Sequence, residues 1–222
     1  MKWEWKEGSV LNNYNENTPC KEIFRAICDE IAEYYIPKGW KYARSRPKIT
    51  LKNTKIKFEI AFWSSGSNTP GEWVNLEIIP SFASIELKNH LKERGIDSYG
   101  YMRFPEFYQL SENIKKGEEH VIRILDKPIR RESRYDEKSG VLIHSNNVNV
   151  YGITTDDFEQ IIEFIEINIV AWIKWADDYE KVKTFAQNSL SAYRERMVVG
   201  DFMHFVRFKF PEKENEILRI LE

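Results

Sequence analysis

At 222 residues, with 31% of them charged and a formal net charge of -2, the chain is long enough to bury a core without staples and is neither a polybasic nor a polyacidic tail. Its two cysteines, Cys20 and Cys28, fall in one predicted helix, about 12 Å of rise apart and beyond disulfide reach, so a disulfide framework is excluded and two buried thiols in a reducing compartment are expected. The longest apolar stretch, Ile161–Trp175, is broken by Glu163, Glu166, Asn168 and Lys174, and the first ten residues hold Trp3, Glu4, Trp5 and Glu7, so neither a membrane span nor a signal peptide is expected and the chain reads as cytoplasmic.

Residues 1–17 are polar and Asn-rich and are expected to form an irregular N-terminal arm. Thr18-Pro19 reads as an N-cap and first helical residue. Ile23, Phe24, Ile27, Ile31, Tyr34 and Tyr35 then recur at helical spacing until Pro37-Lys38-Gly39 ends the run. A β region follows. Ile56, Phe58, Ile60 and Phe62 alternate with Lys55, Lys57, Glu59 and Ala61, and Val74, Leu76 and Ile78 repeat the pattern after the turn-rich segment 64–71. These runs predict an antiparallel hairpin with one apolar and one polar, basic face, preceded by strands at 40–44 and 48–52.

Ser84 opens a short helix closed by Gly95, whereas residues 96–120 show no clean period. Val121–Leu125 reads as a strand, and Ile129–Tyr135 with Val141–His144 as a second hairpin that Asn147–Tyr151 extends. Thr154-x-x-Asp157 has the form of a capping box at the head of a strongly apolar helix, expected to run to about 175 and on through Phe185. Phe202 to Phe210 alternates like a strand, with a helix as the other reading, and Pro211 opens a terminal helix. Hairpins and helices come in blocks rather than as βαβ units, so the expected fold class is α+β: antiparallel hairpins packed on several helices in a single compact domain.

Charge is the feature that bears on function. Residues 38–57 carry eight basic side chains and no acidic one, and residues 154–180 carry eight acidic side chains against Lys174. Such blocks predict two surfaces of opposite potential. The basic surface is expected to comprise Trp40, Lys41, Tyr42, Arg44, Arg46, Lys48 and Lys57, and the acidic one Asp156, Asp157, Glu159, Glu163 and Glu166.

Motifs of known chemistry are missing. There is no G-x-G-x-x-G, no G-x-x-x-x-G-K-[ST], no G-x-S-x-G and no H-E-x-x-H or C-x-x-C, and His90, His120, His144 and His204 are scattered. No cofactor or metal is expected. The leading expectation is a non-enzymatic binding protein acting by surface complementarity on a protein partner, for instance in an accessory or toxin-neutralising role. A copy of itself is one such partner, with the acidic helix of one chain against the basic hairpin of another. A second reading is nucleic-acid binding through the aromatic-interleaved basic segment, which the sequence pI near 6.2 weakens. A third is a metal-dependent hydrolase built on Glu59 and Glu77, against which cross-strand Glu–Lys pairs are the plainer explanation.

Overall fold

The computed structural model describes residues 2–98, 100–103, 120–125, 127, 133–137, 140–189 and 191–222. The larger sheet runs antiparallel in chain order through β1 (Lys41–Ala43), β2 (Lys48–Lys52), β3 (Ile56–Trp63), β4 (Asn75–Ser84) and β5 (Tyr101–Arg103). A smaller sheet holds β6 (His120–Ile122), β7 (Ser133–Glu137) and β8 (Gly140–His144), with β8 in the middle. The short β9 (Asn147–Asn149) returns to the larger sheet and pairs with the start of β4. The helices are α1 (Cys20–Tyr35), α2 (Ile85–Glu93), α3 (Thr155–Asn168), α4 (Tyr179–Gln187), α5 (Ser191–Val199), α6 (Asp201–Lys209) and α7 (Glu214–Leu221). The class is α+β, as expected.

Alternation along β3 decides which side of the larger sheet is buried. Phe58, Ile60 and Phe62 lie in the core, and register places Phe58 beside Leu51 and Phe82, and Ile60 beside Ile49 and Pro80. Helix α1 adds Ile23, Ile27, Ile31 and Tyr35 to the same core. Each large apolar side chain buried here stabilises the fold by roughly 1.5–3 kcal/mol. Pro80, which cannot donate a ladder bond, falls between the stretch of β4 paired to β9 (residues 75–77) and that paired to β5 (residues 81–83). A proline is therefore tolerated in an otherwise central strand.

Several local signals act as anticipated. Gly39, at φ 88, takes the left-handed conformation that stops α1 after the short turn Ile36–Lys38. Ser84 caps α2 by accepting from the Leu87 amide. Thr154 and Asp157 form both bonds of a capping box at the start of α3. The arm is irregular apart from one turn at Val10–Asn12; Leu11 is buried, and the Trp3 and Trp5 rings pack on Phe158.

Other expectations need correction. Thr18 does not cap α1: Pro19 holds that position without a side-chain bond, and the Thr18 hydroxyl accepts from the Asn15 amide instead. Cys20 is half-buried, and only Cys28 is fully buried. The segment at 147 does not extend the second hairpin, because β9 leaves the smaller sheet for β4. The apolar helix after 154 is not continuous: α3 ends at Asn168, a tighter turn spans Val170–Asp177, and Asp178 caps α4 afresh through the Glu180 and Lys181 amides. Phe202 to Phe210 is helical as α6, with Phe202, Met203, Phe205 and Val206 buried at helical spacing. The unassigned segment 96–120 and the first half of the second hairpin fall largely outside the described residues.

Candidate binding surface

Neither ring expected to interleave with cations lies on the sheet side that carries the lysines. Trp40 is only 5% exposed and packs edge-on to Tyr35 and Phe58, with centroids 5.2 and 6.2 Å away. It is a core residue, so its place on the basic surface is withdrawn. Tyr42 shares a row with buried Ile49, and its hydroxyl donates to Asp29 Oδ1 at 2.8 Å. Burial first, then that carboxylate, raises the phenol far above its ordinary value. Arg44 forks onto the same Asp29, with Nε and Nη2 2.9–3.1 Å from its oxygens. Arg46 is exposed in the turn before β2.

Four lysines do gather. Lys41 pairs in register with Thr50, Thr50 lies between Lys48 and Lys52 on β2, and Lys52 pairs with Lys57. Alternation therefore sets Lys41, Lys48, Lys52 and Lys57 on one side of three hydrogen-bonded strands, opposite the core side. Glu59 sits among them. It takes Lys48 Nζ at 2.5 Å and Lys57 Nζ at 2.6 Å, and the Thr50 hydroxyl donates to it at 3.4 Å. Burial pushes the Glu59 carboxyl up, but the bonds from Lys48 and Lys57 outweigh it and leave it below its ordinary value. Among the described residues Lys41 and Lys52 make no ion pair, and they flank a shallow depression with Thr50, Asn53 and Thr54. Lys52 was absent from the expected set, although its place two residues beyond Thr50 on an alternating strand put it on this side.

The acidic set stays together on α3, but three of its five members are engaged within the fold. Asp157 is buried in the capping box and takes Lys127 Nζ at 2.5 Å; burial raises its carboxyl, and the bonds from Lys127 and Thr154 bring it below its ordinary value. Glu159 accepts from the Trp3 backbone amide. Glu166 takes Lys38 Nζ at 2.7 Å. Only Asp156 and Glu163 stand exposed without such a contact among the described residues. Because Lys38 and Glu166 come from the two opposed blocks, part of the charge separation written along the chain is cancelled within the fold.

Glu59 and Glu77 cannot hold one ion between them. Glu59 faces Ser81 across the β3–β4 ladder, four residues from Glu77, or about 13 Å along the strand. Glu77 instead accepts from Asn146 Nδ2 at 2.8 Å. Among the described residues no group of three His, Cys, Asp or Glu side chains could hold a metal ion, and no helix is long and apolar enough to cross a membrane.

Sequence reasoning also passed over the far end of the same sheet side, where Trp63, 57% exposed, continues the series Lys57, Glu59, Ala61. Trp63 pairs with Glu77, and Glu77 with Asn147, so an aromatic ring, a carboxylate and an amide form one row across β3, β4 and β9. With Ser65, Ser67, Trp73 and Asn75 they line a pocket of about 230 Å³. Comparison with protein-family models, with curated proteins and with solved structures gives no match, so the surface is interpreted from its own geometry.

Proposed function

We propose that the chain is a non-enzymatic binding protein that holds an acidic patch of another protein against the exposed side of β1–β3. The observation that carries this reading is the gathering of Lys41, Lys48, Lys52 and Lys57 on one sheet side, with Glu59 the sole carboxylate inside the group among the described residues. Lys48 and Lys57 are held in place by Glu59, whereas Lys41 and Lys52 make no ion pair among the described residues and are left to meet a partner. Complementary charge of this kind speeds encounter and fixes register more than it adds affinity.

A nucleic-acid strand is the poorer fit. The rings it would stack on are withdrawn into the core in Trp40 and tied to Asp29 in Tyr42, and without stacking a site with few free cations offers little beyond salt-sensitive attraction. The deciding experiment is a nuclease-treated pull-down with the wild-type chain beside a Lys41→Glu/Lys52→Glu double variant, read together with binding to single-stranded oligonucleotides at low salt. The reading requires an acidic protein retained after nuclease by the wild type and lost by the double variant. Retention by both overturns it, as does an oligonucleotide affinity that the double variant abolishes.

A further inference from the structure

The pocket beside Trp63 keeps a polar side chain open that the groove between the arm and α1 does not. In the groove between the arm and α1, Asp29 is taken by Tyr42 and Arg44, Glu30 by Trp3 and Lys6, and Glu33 by Lys6. Fold-internal bonds consume those carboxylates. In the Trp63 pocket Asn146 bonds one oxygen of Glu77, but Asn75 is 7% exposed and among the described residues its side-chain amide makes no hydrogen bond. That amide opens onto the pocket, so a ligand hydroxyl can take the place that water holds on it.

The walls are fixed in advance. Asn68 ties its loop at both ends, donating to Ser64 Oγ at 2.8 Å and accepting from the Asn75 amide at 2.9 Å. Thr69 and Trp73 exchange two backbone bonds of 2.8 Å. Asn149 accepts from the Val74 amide and donates to the Glu72 carbonyl, which fastens the strand end behind the pocket. Gly71, at φ 76, lies so close to the arm that a Cβ would stand 2.8 Å from that of Glu16. Little reorganisation is left for a ligand to bring about.

We infer that this pocket binds a single sugar ring, with an indole under its C–H side and the amides and carboxylate on its hydroxyls. The volume lies below the roughly 300 Å³ at which drug-sized sites begin, which suits one ring. The row Trp63–Glu77–Asn147 spans two strand spacings, about 10 Å. Each sugar hydroxyl both donates and accepts, as do the Asn75 and Asn147 amides and the Ser65 and Ser67 hydroxyls, while the Glu77 carboxylate accepts only. A bare ammonium ion would match Glu77 and the rings but would meet the amide N–H groups with like polarity. The site is independent of the lysine-lined side in its residues.

The test is saturation-transfer NMR on the full chain with methyl glycosides of glucose, galactose, mannose and N-acetylglucosamine, alongside tetramethylammonium and uridine. At least one glycoside receives transfer in the wild type. Trp63→Ala abolishes it without changing the melting temperature, because that ring is mostly in solvent, and Asn75→Ala weakens it about tenfold, the worth of one hydrogen bond between neutral groups. Lys41→Glu/Lys52→Glu leaves it unchanged, which separates this site from the lysine group at the other end of the same sheet side. Transfer to no glycoside, transfer to tetramethylammonium or uridine alone, or glycoside binding that both pocket variants retain overturns the inference.

Discussion

Lys38 Nζ lies 2.7 Å from Glu166 and 3.7 Å from the centroid of the Tyr34 ring, so one ammonium fastens the end of α1 to the last turns of α3. Half-exposed ion pairs contribute little by themselves, on the order of 0–1 kcal/mol, and the ring contact adds about 0.5–1 kcal/mol. Lys38→Met keeps the stem and removes the charge. It is expected to lower the unfolding free energy by about 1 kcal/mol, read by urea denaturation, with a smaller difference from wild type in high salt.

Glu30 is 2% exposed and accepts from the Trp3 indole and from the Lys6 backbone amide, both at 3.1 Å. Glu30→Ala leaves two donors of the arm without their acceptor, at about 1–3 kcal/mol for each that stays dry. The arm should detach before the core unfolds: faster hydrogen exchange across residues 3–12 with α4–α7 unchanged is the expected result, observed by mass spectrometry.

Thr154 supplies one half of the capping box on α3. Thr154→Ala should cost about 0.5–2 kcal/mol, or roughly 2–4 °C in melting temperature for each kcal/mol in a chain of this size. Thr154→Ser, which keeps the hydroxyl, should recover most of the loss in the same calorimetric scan.

Glu59 and Asp157 link stability to pH in one direction. Both carboxyls lie below their ordinary values of 4.5 and 3.8 in the folded chain, so each stabilises the fold fully above those values and loses that contribution as pH falls through the lower folded value. Unfolding free energy should be flat above about pH 5.5, roughly one unit above the Glu59 value, and decline below it. Glu59→Gln should flatten part of that decline. It should also free Lys48 and Lys57, strengthening attachment to an acidic partner as measured by the salt dependence of binding.

Gly100 occupies a left-handed conformation, φ 58, and an added Cβ would lie 2.4 Å from the Ser84 carbonyl oxygen. Backbone on both sides leaves nothing soft to yield. Gly100→Ala should destabilise by more than 1 kcal/mol, with chemical-shift changes centred on Ser84 and Lys88.

How far these elements were legible depended on whether the deciding interaction was local. The Thr154–Asp157 box, the Ser84 cap, the Gly39 stop and the two-residue alternation of β3 each involve residues within a few positions of one another, and the local order of residues reveals them. Trp40 misled because alternation marks a side of the strand without saying which side is covered; Tyr35 and Phe58 cover it. Phe202 to Phe210 is apolar at both two-residue and three-to-four-residue spacing, so only packing against the other helices chooses between them. The partners of Asp157, Glu159 and Glu166 could not be foreseen, because Lys38, Lys127 and the arm amide of Trp3 reach α3 from distant parts of the chain. The Trp63 pocket had a partial signal in the strand series but needed β9 to bring Asn147 alongside.

Only Ser145 and Asn146 separate β8, in one sheet, from β9, in the other. Asn146 bonds through its carbonyl to the Ile78 amide and through its side chain to Glu77, so this link is clamped to the floor of the tryptophan cleft. A two-residue tether held at both its carbonyl and its side chain fixes where the small sheet joins the large one, at the row that carries Glu77 and Asn147.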